Sequence, residues 1–141
     1  MDNFKNSLGY LVGKGARLLS NRLNHNFIAG GINLTKEQYI LLNFLWDNDG
    51  LNQRDIADIC SKDKTSIARQ LEVMEKHNFL VRVPDQKDRR IKRIYLTNMA
   101  KDLREKANVV AMATFDEAAT GIVPEELAIC KKVLKQIHEN L

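Results

Sequence analysis

The stretch DKTSIARQLEVMEKHNFLVRVPDQKDRRIKRIYLT, residues 63–97, changes its hydrophobic period partway along. Ile67, Leu71 and Met74 recur at four- and then three-residue spacing, which puts them on one face of a helix. Asp63 precedes that helix as an N-cap. His77-Asn78 closes it, asparagine tolerating the left-handed backbone of a C-terminal cap. LVRV (80–83) and IKRIYL (91–96) then alternate in polarity and read as two strands. PDQKDRR lies between them, with Pro84 ending the first strand. The stretch is a helix followed by a hairpin with a long basic loop.

Upstream, LNQRDIADIC (51–60) reads as a shorter helix. Asn52 is its cap and Asp55 places a negative charge in the first turn, where the helix dipole favours it. Ile56, Ala57 and Ile59 supply an apolar face. A four-residue connection, SKDK, joins this helix to the next, so the order is helix, turn, helix, hairpin: a winged helix-turn-helix. Before it, Thr35-Lys36-Glu37-Gln38 is a capping box. It opens the run YILLNFLW, apolar nearly all round and so expected to be deeply buried, and Asp47-Asn48-Asp49-Gly50 ends it. Residues 4–28 keep a helical stripe through Phe4, Leu8, Leu11, Leu23 and Phe27, broken by the paired glycines of IAGGIN. Thr97 caps a long helix over about 98–119. Pro124 starts a last helix whose Leu127, Cys130, Leu134, Ile137 and Leu141 form a packing seam.

The expected fold is mainly α with a small β-hairpin wing, in a single domain over 1–141. Residues 34–97 form the winged lobe, and 1–33 with 98–141 form a helical lobe. The long flanking helices carry more apolar surface than 141 residues can cover. A homodimer built on them is the expected solution.

Composition narrows the function. Hydrophobic residues are 44% and charged residues 28%, values of a folded soluble domain. No apolar run reaches membrane-spanning length, and MDNFKNSLGY lacks a signal-peptide pattern. Cys60 and Cys130 make neither a disulfide framework nor a metal site. His25, His77 and His138 have no partners at ligand spacing, and no triad or phosphate loop occurs. The expectation is a cytoplasmic protein that is no enzyme and has no cofactor. The net charge of +4 all falls within residues 51–95, where eleven Lys/Arg face seven Asp/Glu. Such clustering suits a polyanionic partner.

With Ile67, Leu71 and Met74 inward, Lys64, Thr65, Ser66, Arg69 and Gln70 are expected to point outward. Lysine and arginine read guanine edges, glutamine reads adenine, and the hydroxyls adapt or touch phosphate. In the loop, Arg90 is a candidate probe of a narrow minor groove, with Lys87 and Arg89 as helpers. Lys92 and Arg93 are candidate phosphate contacts. Asp88, two residues before Arg90, can hold that guanidinium bidentately. The expected partner is double-stranded DNA.

These residues resemble a known family. LTKEQYILLNFL, LNQRDIADIC and DKTSIARQLEVMEKHNFLVRVPDQKDRRIKRIYLTNMAKDL are similar to the MarR family of bacterial transcriptional regulators. The likeness extends over nearly the whole chain, and its most specific part is Asp88-Arg89-Arg90 in the wing. It implies that Arg90 enters the minor groove, that Asp88 orients it, and that Thr65, Ser66 and Arg69 face DNA. It also implies a homodimer on a pseudo-palindromic operator, usually a repressor relieved by a small ligand or by oxidation. Ala100 and Asn78 stand where the family often has glycine.

In such a family effectors bind between the dimer helices and the DNA-binding lobe. Lys14, Arg17 and Tyr39 are candidate ligand residues, suited to a small anionic aromatic molecule, with Phe44 and Trp46 near them or in the core. Cys60 and Cys130 are expected to be small buried hydrophobes, with thiol sensing as the alternative. A winged-helix module that binds protein instead of DNA is the other alternative. The cationic Lys64, Arg69 and Arg90 argue against it, since protein interfaces favour aromatic and aliphatic anchors.

Overall fold

A computed structural model describes residues 3–60 and 63–141. Ser61 and Lys62, half of the expected SKDK connection, lie outside the described residues. The helices begin where side chains can take up orphaned N–H groups. A 3-10 turn at Phe4–Asn6 precedes α1 (Leu8–Ala29), so the first helix starts four residues later than expected. The cause is Ser7, whose hydroxyl accepts the Tyr10 N–H and so sets the N-cap there. In α2 (Lys36–Trp46) the capping box forms in both directions. Gln38 N–H donates to Thr35 Oγ1 at 3.2 Å, and Thr35 N–H donates to Gln38 Oε1 at 3.1 Å.

Strand β1 (Leu51–Asn52) leads into α3 (Gln53–Ile59), followed by α4 (Lys64–Lys76). Strands β2 (Leu80–Pro84) and β3 (Lys92–Leu96) form the wing hairpin. Helices α5 (Asn98–Ala118) and α6 (Pro124–Asn140) complete the chain. Asn78 adopts φ 63° at the end of α4, the left-handed cap read from its sequence position. Thr97 joins the wing to α5: its hydroxyl donates to Asn78 O at 2.7 Å and accepts the Ala100 N–H at 3.2 Å.

The sheet has three strands, ordered β1-β3-β2 and antiparallel throughout. The expected hairpin is therefore extended by β1, a strand too short to carry a period. Leu51 pairs with Ile94 and Asn52 with Arg93. On the other side Leu80 pairs with Leu96 and Pro84 with Lys92, leaving β2 at the edge.

The core runs from Leu23 and Phe27 of α1 through Leu41, Leu42 and Leu45 of α2 to the winged segment. There Ile56, Ile67, Leu71, Met74 and Ile94 are all fully buried. Each such side chain contributes about 1.5–3 kcal/mol of transfer free energy. The α2 run is less buried than its composition suggested. Ile40 remains exposed and Phe44 half-buried, because the helix packs on one side only. Helices α1 and α5 lie together, tied by an Arg22–Glu117 ion pair and by Asn26 Nδ2 donating to the buried Thr114 Oγ1 at 2.8 Å. Helix α6 buries none of its residues. That corrects one expectation: Cys130 is exposed, and Cys60 is only partly buried against the core.

Gly50 makes the turn into β1 with φ 79°, and its N–H donates to Ile94 O at 2.8 Å. A Cβ there would meet the Tyr95 ring at 3.2 Å. Left-handed backbone costs an L-residue about 1–2 kcal/mol. Gly50→Ala should therefore lower the unfolding free energy by at least that amount in urea denaturation; an unchanged midpoint would show that the turn relaxes freely.

Candidate nucleic-acid interface

Helix α4 is fixed at both ends. Asp63 accepts the Ser66 N–H and the Ser66 hydroxyl, both at 2.9 Å, and these bonds hold its carboxyl below the usual range. With Ile67, Leu71 and Met74 buried, Lys64, Thr65 and Arg69 are left exposed, and their side chains make no ion pair or hydrogen bond among the described residues. Two expected readers are placed differently. The Ser66 hydroxyl is committed to the cap, and the residue is half-buried. Gln70 is also half-buried, with Oε1 fully shielded and lacking a hydrogen-bond partner. A bidentate glutamine–adenine pair needs both ends of the amide, so Gln70 does not present that contact in this conformation. The Gln53 Oε1 in α3 is shielded and unpartnered in the same way.

The wing is anchored before it becomes basic. Glu75 of α4 accepts the Arg82 N–H at 3.0 Å through Oε2 and the Arg82 guanidinium at 3.1 and 3.3 Å through Oε1. Those bonds lower the Glu75 pKa. At the loop entrance Asp85 folds the chain back. Its Oδ2 accepts the N–H groups of Lys87 and Asp88 at 3.1 and 3.0 Å, an Asx turn. Its Oδ1 accepts Arg93 Nε at 2.7 Å. The loop closes with the Asp85 N–H on Ile91 O and the Ile91 N–H on Asp88 O.

Asp88 and Arg90 form the expected brace. Asp88 Oδ1 accepts the Arg90 N–H at 3.1 Å and Nε at 3.2 Å, while Oδ2 accepts a terminal guanidinium nitrogen at 3.3 Å. The Arg90 side chain is nevertheless 91% exposed. It is held and presented at the same time. Lys87, Arg89 and Lys92 are exposed beside it, with no side-chain ion pair among the described residues.

Arg93 has a different position from the one expected of a phosphate contact. Its Nε is bound by Asp85 and a terminal nitrogen donates to Gly50 O at 3.0 Å. Nε and one terminal nitrogen are engaged within the protein, and the Asp85 contact raises its pKa. Sequence reading missed this role, and with it Asp85 and the Glu75–Arg82 tie. The Pro-Asp pair at 84–85 was the available signal, since it is a turn initiator.

The ligand candidates do not converge. Lys14 and Arg17 lie exposed on α1, Lys14 with its ammonium 5.7 Å from the Tyr10 ring centre. Tyr39 donates its hydroxyl to Asn108 Oδ1 at 2.8 Å and packs between Phe27 and Trp46. Trp46 is core as well, with Nε1 donating to Ala100 O at 2.9 Å.

Comparison with known proteins agrees with this geometry. Residues 31–91 match the model of the MarR family. The uncharacterised HTH-type transcriptional regulator YybA of Bacillus subtilis is 25% identical over 92% of this chain and 85% of its own. The crystal structure of the transcriptional regulator SlyA superposes with a TM-score of 0.85 at 27% identity, over 96% of this chain and 94% of that one. The DNA-reading segment of the chain is thus similar to the MarR family. Its kin are transcriptional regulators and not enzymes. A MarR mutant from E. coli complexed with operator DNA shares the fold at a TM-score of 0.87 and 18% identity, covering 97% of this chain and 99% of the other. Among the described residues no helix is long and apolar enough to cross a membrane.

The arginine contacts hold the Asp85 and Asp88 carboxyls below the ordinary value of 3.8. A folded-state pKa below the unfolded one gives a contribution that is present above the unfolded value and lost as pH falls through the folded one. The wing brace should therefore stay intact from neutral pH to about pH 4 and loosen only below it. In an NMR titration the amide resonances of Lys87, Asp88 and Arg90 should hold steady until that range; movement near pH 6 would assign them to another group.

Proposed function

We propose that this chain is a MarR-family, sequence-specific repressor that binds double-stranded DNA as a homodimer in the bacterial cytoplasm. The observation that carries this reading is the wing tip, where Arg90 is almost fully exposed yet clamped by Asp88. A narrow minor groove focuses negative potential and accepts such a guanidinium. A loop already ordered by its own contacts loses little conformational freedom on entering it. The operator-bound MarR relative supports DNA as the partner.

In this reading Lys64, Thr65 and Arg69 enter the major groove from the first turns of α4. Lys92 and Arg89 touch backbone phosphates. Ser66 and Arg93 shape the site from within, and Gln70 reaches a base only by rotating its half-buried side chain. Residues 34–97 serve as the DNA-reading lobe, and 1–33 with 98–141 as the dimerisation lobe. Exposed apolar side chains support that division: Leu8, Leu11 and Leu18 on α1, Met112 on α5, and Ile129 and Val133 on α6. A second copy would cover them by an isologous contact. The effector of this reading is a small anionic aromatic molecule drawn to Lys14 and Arg17.

Selection of bound sequences from a random duplex pool tests the reading. It should enrich two inverted half-sites about 34 Å apart, one turn of DNA. A pool that stays random would sink DNA recognition. On an enriched duplex, Arg90→Ala should weaken binding by about 1–3 kcal/mol in a fluorescence titration; equal affinities would remove the wing from the interface. Sedimentation at micromolar concentration should give a dimer, and a monomer would overturn the proposed symmetry.

A further inference from the structure

We infer that Arg54 is a further DNA contact, seating a backbone phosphate in a cleft between the start of α3 and the wing. The inference rests on the DNA-binding reading above and adds a residue to it. The cleft measures about 440 Å³. Asn52, Gln53 and Arg54 line one side, and Asp88, Arg90, Ile91 and Lys92 the other. Three cations therefore face one carboxylate. That carboxylate is already occupied, since Asp88 accepts three bonds from Arg90. The neighbouring acid Asp55 does not line the cleft. Arg54 and Lys92 remain as charges without an ion pair among the described residues, one on each wall.

The position of Arg54 also runs against local stability. It lies in the first turn of α3, where the helix dipole disfavours a cation. Its backbone N–H donates to Asn52 Oδ1 at 2.8 Å, so the turn is secured without the side chain. The guanidinium is exposed and free to meet an external anion. The occupant is a phosphodiester and not a base, because the lining, Ile91 apart, is polar and mostly cationic in its charges and holds no aromatic ring on which a base could stack. Arg90 shares the cleft, so a strand passing the wing tip also passes Arg54. Paired walls of one charge sign concentrate potential between them.

The test uses the full-length protein and two duplexes, one enriched by selection with the wild type and one of scrambled sequence. Dissociation constants are measured from about 50 to 200 mM salt for the wild type, Arg54→Gln and Arg54→Lys. Arg54→Gln should reduce the slope of log K against log salt by about 0.9 per protomer. It should also weaken both duplexes by the same factor, as a phosphate contact does. Arg54→Lys should keep the wild-type slope. Ethylation interference should show one sensitive phosphate fewer in each half-site for Arg54→Gln. An unchanged slope, or a loss confined to the enriched duplex, would overturn the phosphate assignment while leaving DNA binding in place. Wild-type protein that binds neither duplex would overturn both readings.

Discussion

The wing depends on one carboxylate. Asp85 gathers the N–H groups of Lys87 and Asp88 on one oxygen and the Arg93 guanidinium on the other. The first pair of bonds sets the turn that brings Asp88 into position. The second binds β3, and Arg93 passes the constraint on to the Gly50 carbonyl beside β1. Two loops more than thirty residues apart in sequence are thereby locked to one another. Because Asp88 in turn orients Arg90, the direction of the exposed cation is set two hydrogen-bonded steps away from its own side chain. Charge-assisted bonds suit this task, being shorter and more directional than neutral ones.

A division of labour among the cations follows. Arg82 and Arg93 carry full charges in the most basic part of the chain, yet each is tied to an acid within the protein, Glu75 and Asp85 respectively. They hold the wing to α4 and to the β1 turn. Lys64, Arg69, Arg89 and Lys92 have no such tie among the described residues and are available to a partner. Arg90 belongs to both groups. The charge excess between residues 51 and 95 thus overstates the number of cations that can meet an external anion.

The helical frame was legible in the sequence because its signals are local. A cap, a capping box and a three-four spacing each lie within a single turn, and Asn78 announces its left-handed backbone at one position. The Asp88–Arg90 brace was legible for the same reason, with two residues separating its partners. What escaped notice depends on chain segments far apart. Strand β1 is a strand only because β3 lies beside it. Arg93 looked like a phosphate contact because its acceptors, Asp85 and Gly50, meet it only in the folded chain. Helical phase alone points Ser66 and Gln70 outward, and it cannot show that a hydroxyl turns back to its own cap or that part of an amide is shielded in the folded chain. Cys130 was expected to be buried because its seam is apolar, but burial there requires a surface that a single chain does not provide.

The edge position of β2 has a consequence for solubility. An open strand edge offers unpaired N–H groups to any passing strand and so invites aggregation. On β2 the N–H of Arg82 points away from β3 and is taken by the Glu75 carboxylate. Pro84 lies two residues further along, so its nitrogen faces the same side, and it has no hydrogen to offer. The Glu75–Arg82 tie that anchors the wing thus also blocks the sheet against a fourth strand. A protein with exposed valines at 81 and 83 can carry a projecting hairpin without its copies zipping together along that edge.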